Sequence, residues 1–144
     1  MVVANAREFL KELDLGHFKV DTPETFMISL NKETEKLQNA LPRGARHWGT
    51  ARKALNIFLR DVLFNLYLCK EYGFRHLEPW LELPLDSKAA KGLLAEFEGR
   101  SLKPWKNIKD LTEAMSDDYQ NIAKQVAERR GVARIHLDLI YWMA

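Results

Sequence analysis

Apolar residues recur along the chain at three- and four-residue spacing, the periodicity of helices with one buried face. Residues 3–14 place Ala6, Phe9, Leu10 and Leu13 on one stripe, with Gly16 as the stop. Asp21-Thr22-Pro23-Glu24 is a helix start: Thr22 as cap, proline at the first helical position and an acid in the first turn. Phe26, Leu30, Leu37 and Leu41 carry that helix to Pro42, where Leu41-Pro42-Arg43-Gly44 breaks the chain. Trp48 to Tyr72 is the most apolar segment, with Ala51, Ala54, Leu55, Phe58, Leu59, Val62, Leu63 and Leu66 on a wide stripe ending at Gly73. The pattern predicts one central helix over 48–72, contacted on several sides.

Residues 74–85 read as a connection punctuated by Pro79 and Pro84. Asp86-Ser87 caps a predicted helix to about Glu98, and another runs from about Ser116 to Arg130, ended by Gly131. From Ala133 to Trp142 the pattern fits a strand or a helix. A lone strand has nothing to pair with, so helix is the consistent choice. The expectation is an all-α fold: a single domain over residues 1–144, of about five to seven helices around the central apolar one.

The composition, 47% hydrophobic and 29% charged over 144 residues, is that of a globular chain able to bury a core without disulfides or metal. One cysteine excludes an internal bridge and a cysteine-rich zinc site. No apolar run reaches the roughly 20 residues that span a bilayer. Arg7, Glu8 and Lys11 follow the N-terminus too closely for a signal peptide. No membrane association and a cytoplasmic location are the expectations.

Charge changes this picture by its distribution. Residues 1–42 hold five basic and seven acidic side chains, and the remainder 17 and 13. Arg43, Arg46, Arg52, Lys53 and Arg60 follow one another without an acid, as do Arg100, Lys103, Lys106 and Lys109. Such runs can hold a polyanion and are more commonly solvated faces. The four histidines show no metal spacing, and no phosphate-binding glycine loop, His-Glu-x-x-His or Gly-x-Ser-x-Gly motif is present. Neither metal nor cofactor is expected.

Two residues have settings that suit chemistry. Lys53 follows Arg52 near the start of the central helix, where a neighbouring cation and the helix dipole both favour a neutral, nucleophilic amine. Its plain reading is a surface lysine. Asp86 is an N-cap, and amide donors there keep a carboxylate ionised and fixed, fit to stabilise an oxocarbenium ion.

Arg52-Lys53-Ala54-Leu55-Asn56 followed by Pro84-Leu85-Asp86-Ser87-Lys88-Ala89-Ala90 resembles the lysine and aspartate motifs of the helix-hairpin-helix DNA glycosylase superfamily. With His136-Leu137-Asp138-Leu139-Ile140-Tyr141-Trp142, it is most similar to the archaeal 8-oxoguanine DNA glycosylase branch, over about residues 41–142. The resemblance implies a base flipped from the duplex, attack of Lys53 on C1′, assistance by Asp86 and strand cleavage through a Schiff base. It also implies DNA contacts by Arg43, Arg46, Arg52, Lys103, Lys106 and Lys109, and base stacking by Trp48, Trp80 or Trp105. The alternative on the same residues is a non-catalytic helical module that binds nucleic acid or a protein partner. Exposed aromatics could equally mark a homodimer surface.

Overall fold

The computed structural model describes residues 2–96 and 102–143, and among them every regular element is helical. Seven α-helices, α1 (Val2–Glu12), α2 (Pro23–Ala40), α3 (Trp48–Phe64), α4 (Leu66–Tyr72), α5 (Ser87–Glu96), α6 (Glu113–Arg130) and α7 (Leu137–Met143), are joined by short 3₁₀ turns. They form one compact all-α domain.

Local chemistry sets most boundaries. Thr22 accepts from the Thr25 amide at 3.1 Å while the Thr25 hydroxyl takes the Thr22 amide, a capping box ahead of Pro23. α6 begins at Glu113, three residues before the periodicity predicts, because Thr112 caps it through the Met115 amide. Gly73 and Gly131 end α4 and α6 at φ +65° and +70°, the left-handed conformation that glycine tolerates.

The predicted helix over 48–72 is two helices. Asn65 lies in extended conformation between α3 and α4; its amide closes α3 on the Asp61 and Val62 carbonyls. Its side-chain Oδ1 accepts from the Tyr67 and Leu68 amides, starting α4. An asparagine side chain that satisfies two amides competes with the helix it interrupts. The predicted last helix is present as a 3₁₀ turn (Arg134–His136) running into α7. The predicted end of α5 near Glu98 lies outside the described residues.

α3 is central, as its apolar stripe implies, and packs on α1, α2, α4, α6 and the turns at 74–80 and 108–110. Two apolar cores flank it. The first joins α1–α4 through Phe18, Phe26, Leu30, Leu37, Leu55, Leu59 and Phe74. The second joins α5–α7 through Leu83, Ala89, Leu93, Tyr119, Ala123, Val126 and Leu137. The chain passes from one to the other in the extended segment 81–86, where Leu81 belongs to the first core and Leu83 to the second. Glu82 stands between them, and at this seam lies the polar chemistry.

Candidate functional site

A lone extended segment has no neighbouring strand to satisfy its amides and carbonyls, and buried backbone groups need partners. Side chains supply them here. Gln120 of α6 accepts from the Leu83 amide at 3.0 Å and donates to the Leu83 carbonyl at 2.7 Å. Arg134 donates to the carbonyls of Trp80 and Leu81 at 2.9 and 3.1 Å.

Glu82 is held from α3. Its Oε1 accepts from Arg52 Nε and Asn56 Nδ2, both at 3.0 Å. The other Arg52 nitrogens donate to Thr34 Oγ1 at 2.6 Å and Asn31 Oδ1 at 2.7 Å on α2, and the guanidinium lies 4.9 Å from the Trp48 ring centre. Arg52 is therefore fully engaged and only 2% exposed, so it is an internal strut and not the DNA contact expected from its place in the basic run. Trp48 serves as its half-buried cover.

Lys53, one position further on, is half-buried and borders a crevice with Asn56, Leu85, Leu111, Ser116 and Gln120. The crevice has no room for a water molecule. Asp86 follows Leu85 directly and caps α5: its Oδ1 accepts from the Ala89 amide at 2.8 Å. The expected cap is thus present. The Arg52 charge that was expected to act on Lys53 is matched by Glu82.

Glu82 and Gln120 also border a cleft of about 510 Å³, within the roughly 300–1,000 Å³ range of small-molecule sites. One wall is apolar: Pro23, Phe26 and Met27 from α2, with Pro79 and Trp80. The other is polar: Glu82, then Asp117, Gln120, Asn121 and Lys124 of α6, with Arg134. Trp80 is wedged edge-on against His76, 5.8 Å between centres, and tilted against Phe26 at 6.4 Å. Of the three expected stacking residues, Trp80 lines this cleft; Trp105 packs on the second core with its buried indole N–H unpartnered.

The cleft is electrostatically uneven. Burial, then the neighbouring Glu82 and Glu113 carboxylates, push the Asp117 carboxyl above its usual range. Burial lowers the Arg134 guanidinium, a half-buried cation turned toward backbone carbonyls.

The remaining basic candidates are on the surface. Arg43 and Arg46 are exposed, with Arg46 Nε donating to the Leu41 carbonyl at 2.7 Å. Lys103, Lys106 and Lys109 are exposed along 103–109. Gly49 brings these two stretches together, packing against Ile108 and Leu111 so closely that a Cβ there would strike the Ile108 carbonyl.

Glu82, Asp117, Gln120 and Arg134 escape a reading of the sequence. Each sits in an ordinary stretch, and only the tertiary fold unites positions 23–27, 79–82 and 117–134. No group of three or more His, Cys, Asp or Glu among the described residues is arranged to hold a metal. None of the described helices is long and apolar enough to cross a membrane. No protein-family model, curated protein or solved structure matches the chain.

Proposed function

We propose that this protein is a helical binding module whose ligand sits in the cleft between α2, Trp80 and α6. The observation that carries this reading is the pairing of a ligand-sized cleft with a polar wall held from behind. Glu82 is fixed by Arg52 and Asn56, and Arg134 by the carbonyls of Trp80 and Leu81, so the site is formed before a ligand arrives. An apolar wall with a few fixed polar groups is the usual form of a recognition site. The test is ¹⁵N-resolved NMR with three simple probes, indole, guanidinium and inorganic phosphate. Shifts clustered on the Trp80 indole, Asn121 and Lys124 support the reading; a cleft silent to all three overturns it.

A second reading keeps the resemblance to DNA glycosylases. Lys53 and Leu85 wall one crevice, with Asp86 next in the chain, and that juxtaposition favours it. A flipped base would require the 81–86 segment to move, because the crevice admits no water. Exposed Arg43, Arg46, Lys103, Lys106 and Lys109 would hold the phosphates, with an affinity falling steeply with salt. Borohydride trapping on duplexes carrying 8-oxoguanine or an abasic site decides it: an adduct lost in Lys53→Gln supports it, and no adduct with no base release sinks it. A second copy is a further candidate partner, since Phe64, Leu66 and Tyr67 are exposed where α3 meets α4. Sedimentation across a concentration series tests that.

A further inference from the structure

The cleft's polar wall holds carboxylate oxygens that no donor among the described residues answers. The Glu82 side chain is almost wholly buried, yet only Oε1 is used; among the described residues Oε2 accepts no hydrogen bond. Asp117, on the same wall, makes no ion pair or hydrogen bond among the described residues. Arg52 already pairs with Glu82 through Oε1, so Asp117 is the carboxylate of this wall without an ion-pair partner among the described residues.

The cations nearby do not answer it. Arg134 directs Nε, Nη1 and Nη2 to the carbonyls of Leu81, Gln120 and Trp80. Lys124, also on the lining, is exposed and pairs with no carboxylate among the described residues. The charges acting on Asp117 are mostly negative, from Glu82, Glu113 and Asp118, with Arg52 alone opposing them. An anionic ligand would meet repulsion at this end, and a neutral one would leave two acceptors desolvated and unpaired.

We propose that the cleft is a receptor for a guanidinium group, which donates to Glu82 Oε2 and Asp117 while its planar face and stem lie along Trp80 and Met27. This rests on the ligand-cleft reading and names the chemistry of its occupant. A guanidinium carries five donors on a rigid plane, matches carboxylates and stacks on aromatic rings. Its positive charge meets the one carboxylate of the wall that has no ion pair among the described residues. A compact ammonium would satisfy the acceptors and leave the aromatic wall unused.

The group could come from a free small molecule or from an arginine side chain of a partner protein, and the probes separate the two. Agmatine represents the first and a capped Gly-Arg-Gly peptide the second, with the capped Gly-citrulline-Gly peptide as the uncharged isostere. Binding is read by calorimetry and by the Trp80 indole resonance. The expected result is saturable binding of agmatine, the arginine peptide or both, weakened at least tenfold by Asp117→Asn and undetectable for the citrulline peptide. Because Asp117 is largely on the surface and makes no hydrogen bond or ion pair among the described residues, its variant keeps the fold. Binding should also strengthen as pH rises through the Asp117 titration, with Glu82, Glu113, Asp118, Arg52, Lys124 and Arg134 the other charged groups facing it.

Binding of the peptide alone assigns the site to a partner's arginine, and binding of agmatine alone assigns it to a small molecule. Indole or phosphate shifting the cleft while both guanidinium probes fail overturns the guanidinium assignment and leaves the ligand cleft standing. Equal affinity of Asp117→Asn, or of the citrulline peptide, also overturns the assignment. A cleft silent to every probe overturns both.

Discussion

The two cores on either side of the seam are built differently. The first is filled by large side chains: Phe18, Phe26, Leu30, Leu37, Leu55, Leu59, Phe74 and Leu77 are all essentially inaccessible. The second draws on small ones, with Ala89, Ala90, Ala123 and Ala127 among its buried residues and Gly92 lying under the Tyr141 ring. Bulk holds the first half together, whereas close approach of helices holds the second. The two apolar sets end at the seam in Leu81 and Leu83, and between them Arg52, Asn56, Glu82 and Gln120 are buried. The lesson is that burial builds the halves and hydrogen bonding fixes how they meet. That meeting line is also where the cleft opens.

The sharpest way to break the comparison is at the seam. Arg52→Met should remove about 3–5 kcal/mol of stability, because Glu82 is left buried without its counter-ion. The double variant Arg52→Met/Glu82→Leu should recover most of that loss, since burying two apolar groups is far less costly than burying one bare charge. Urea titration of the two single variants and the double closes the cycle. A loss below about 1 kcal/mol for Arg52→Met would mean that the seam is not held by this pair.

Within the cores the expected effects are smaller and differ in kind. Leu59→Ala removes bulk from the first core and should cost about 2–5 kcal/mol. Gly92→Ala adds one methyl group to the second, and its Cβ would collide with the Tyr141 ring. The expected loss is about 1–3 kcal/mol, against a near-neutral Gly44→Ala, whose Cβ would meet nothing. Thermal melts of the three variants decide the matter; a tolerated Gly92→Ala would show that the second core is not tightly packed.

What was readable beforehand follows this division. The apolar spacing of Leu55, Leu59 and Val62, the Thr22-Pro23 start and the Asp86 cap are local signals, and each appears where its local chemistry puts it. Asn65 was unreadable as a break because an asparagine at a helical position looks like any polar residue until its side chain finds the Tyr67 and Leu68 amides. Arg52 misled for a related reason. Its pairing with Glu82 spans 30 residues, and no local pattern distinguishes an arginine that will be buried from one that will face solvent. The cleft was invisible altogether, because its walls come from three separate stretches with ordinary amphipathic patterns. Gly49 and Gly92 likewise carry meaning only through what approaches them.

At the Asp86 cap the comparison becomes one of role. Asp86→Ala should cost about 1 kcal/mol through loss of the Ala89 contact, within the ordinary range for a helix cap. Asp86→Asn keeps an acceptor oxygen and should cost only a few tenths of that order. Equal losses in both variants, measured by chemical denaturation, would point to the charge itself and not to capping.

The smallest expected effect is the pH dependence that separates the cleft from the surface of the second half. Asp117 is pushed up by burial and by its acidic neighbours, so the folded state prefers the protonated form. Its contribution is therefore favourable in acid and is lost as pH rises from the ordinary carboxylate value through the raised one. Glu96 behaves oppositely: Arg130, at 2.7 Å, holds its carboxyl below the usual range. Its favourable contribution is present above the ordinary carboxylate value and fades as pH falls through the lowered one. Asp117→Asn should accordingly raise the melting temperature slightly at neutral pH, with no difference left at strongly acid pH. Glu96→Gln should lower it at neutral pH and converge in the same way. If Asp117→Asn instead lowers stability at neutral pH, Asp117 already has a cationic partner in the folded chain. The cleft would then have no charge left for a guanidinium to answer.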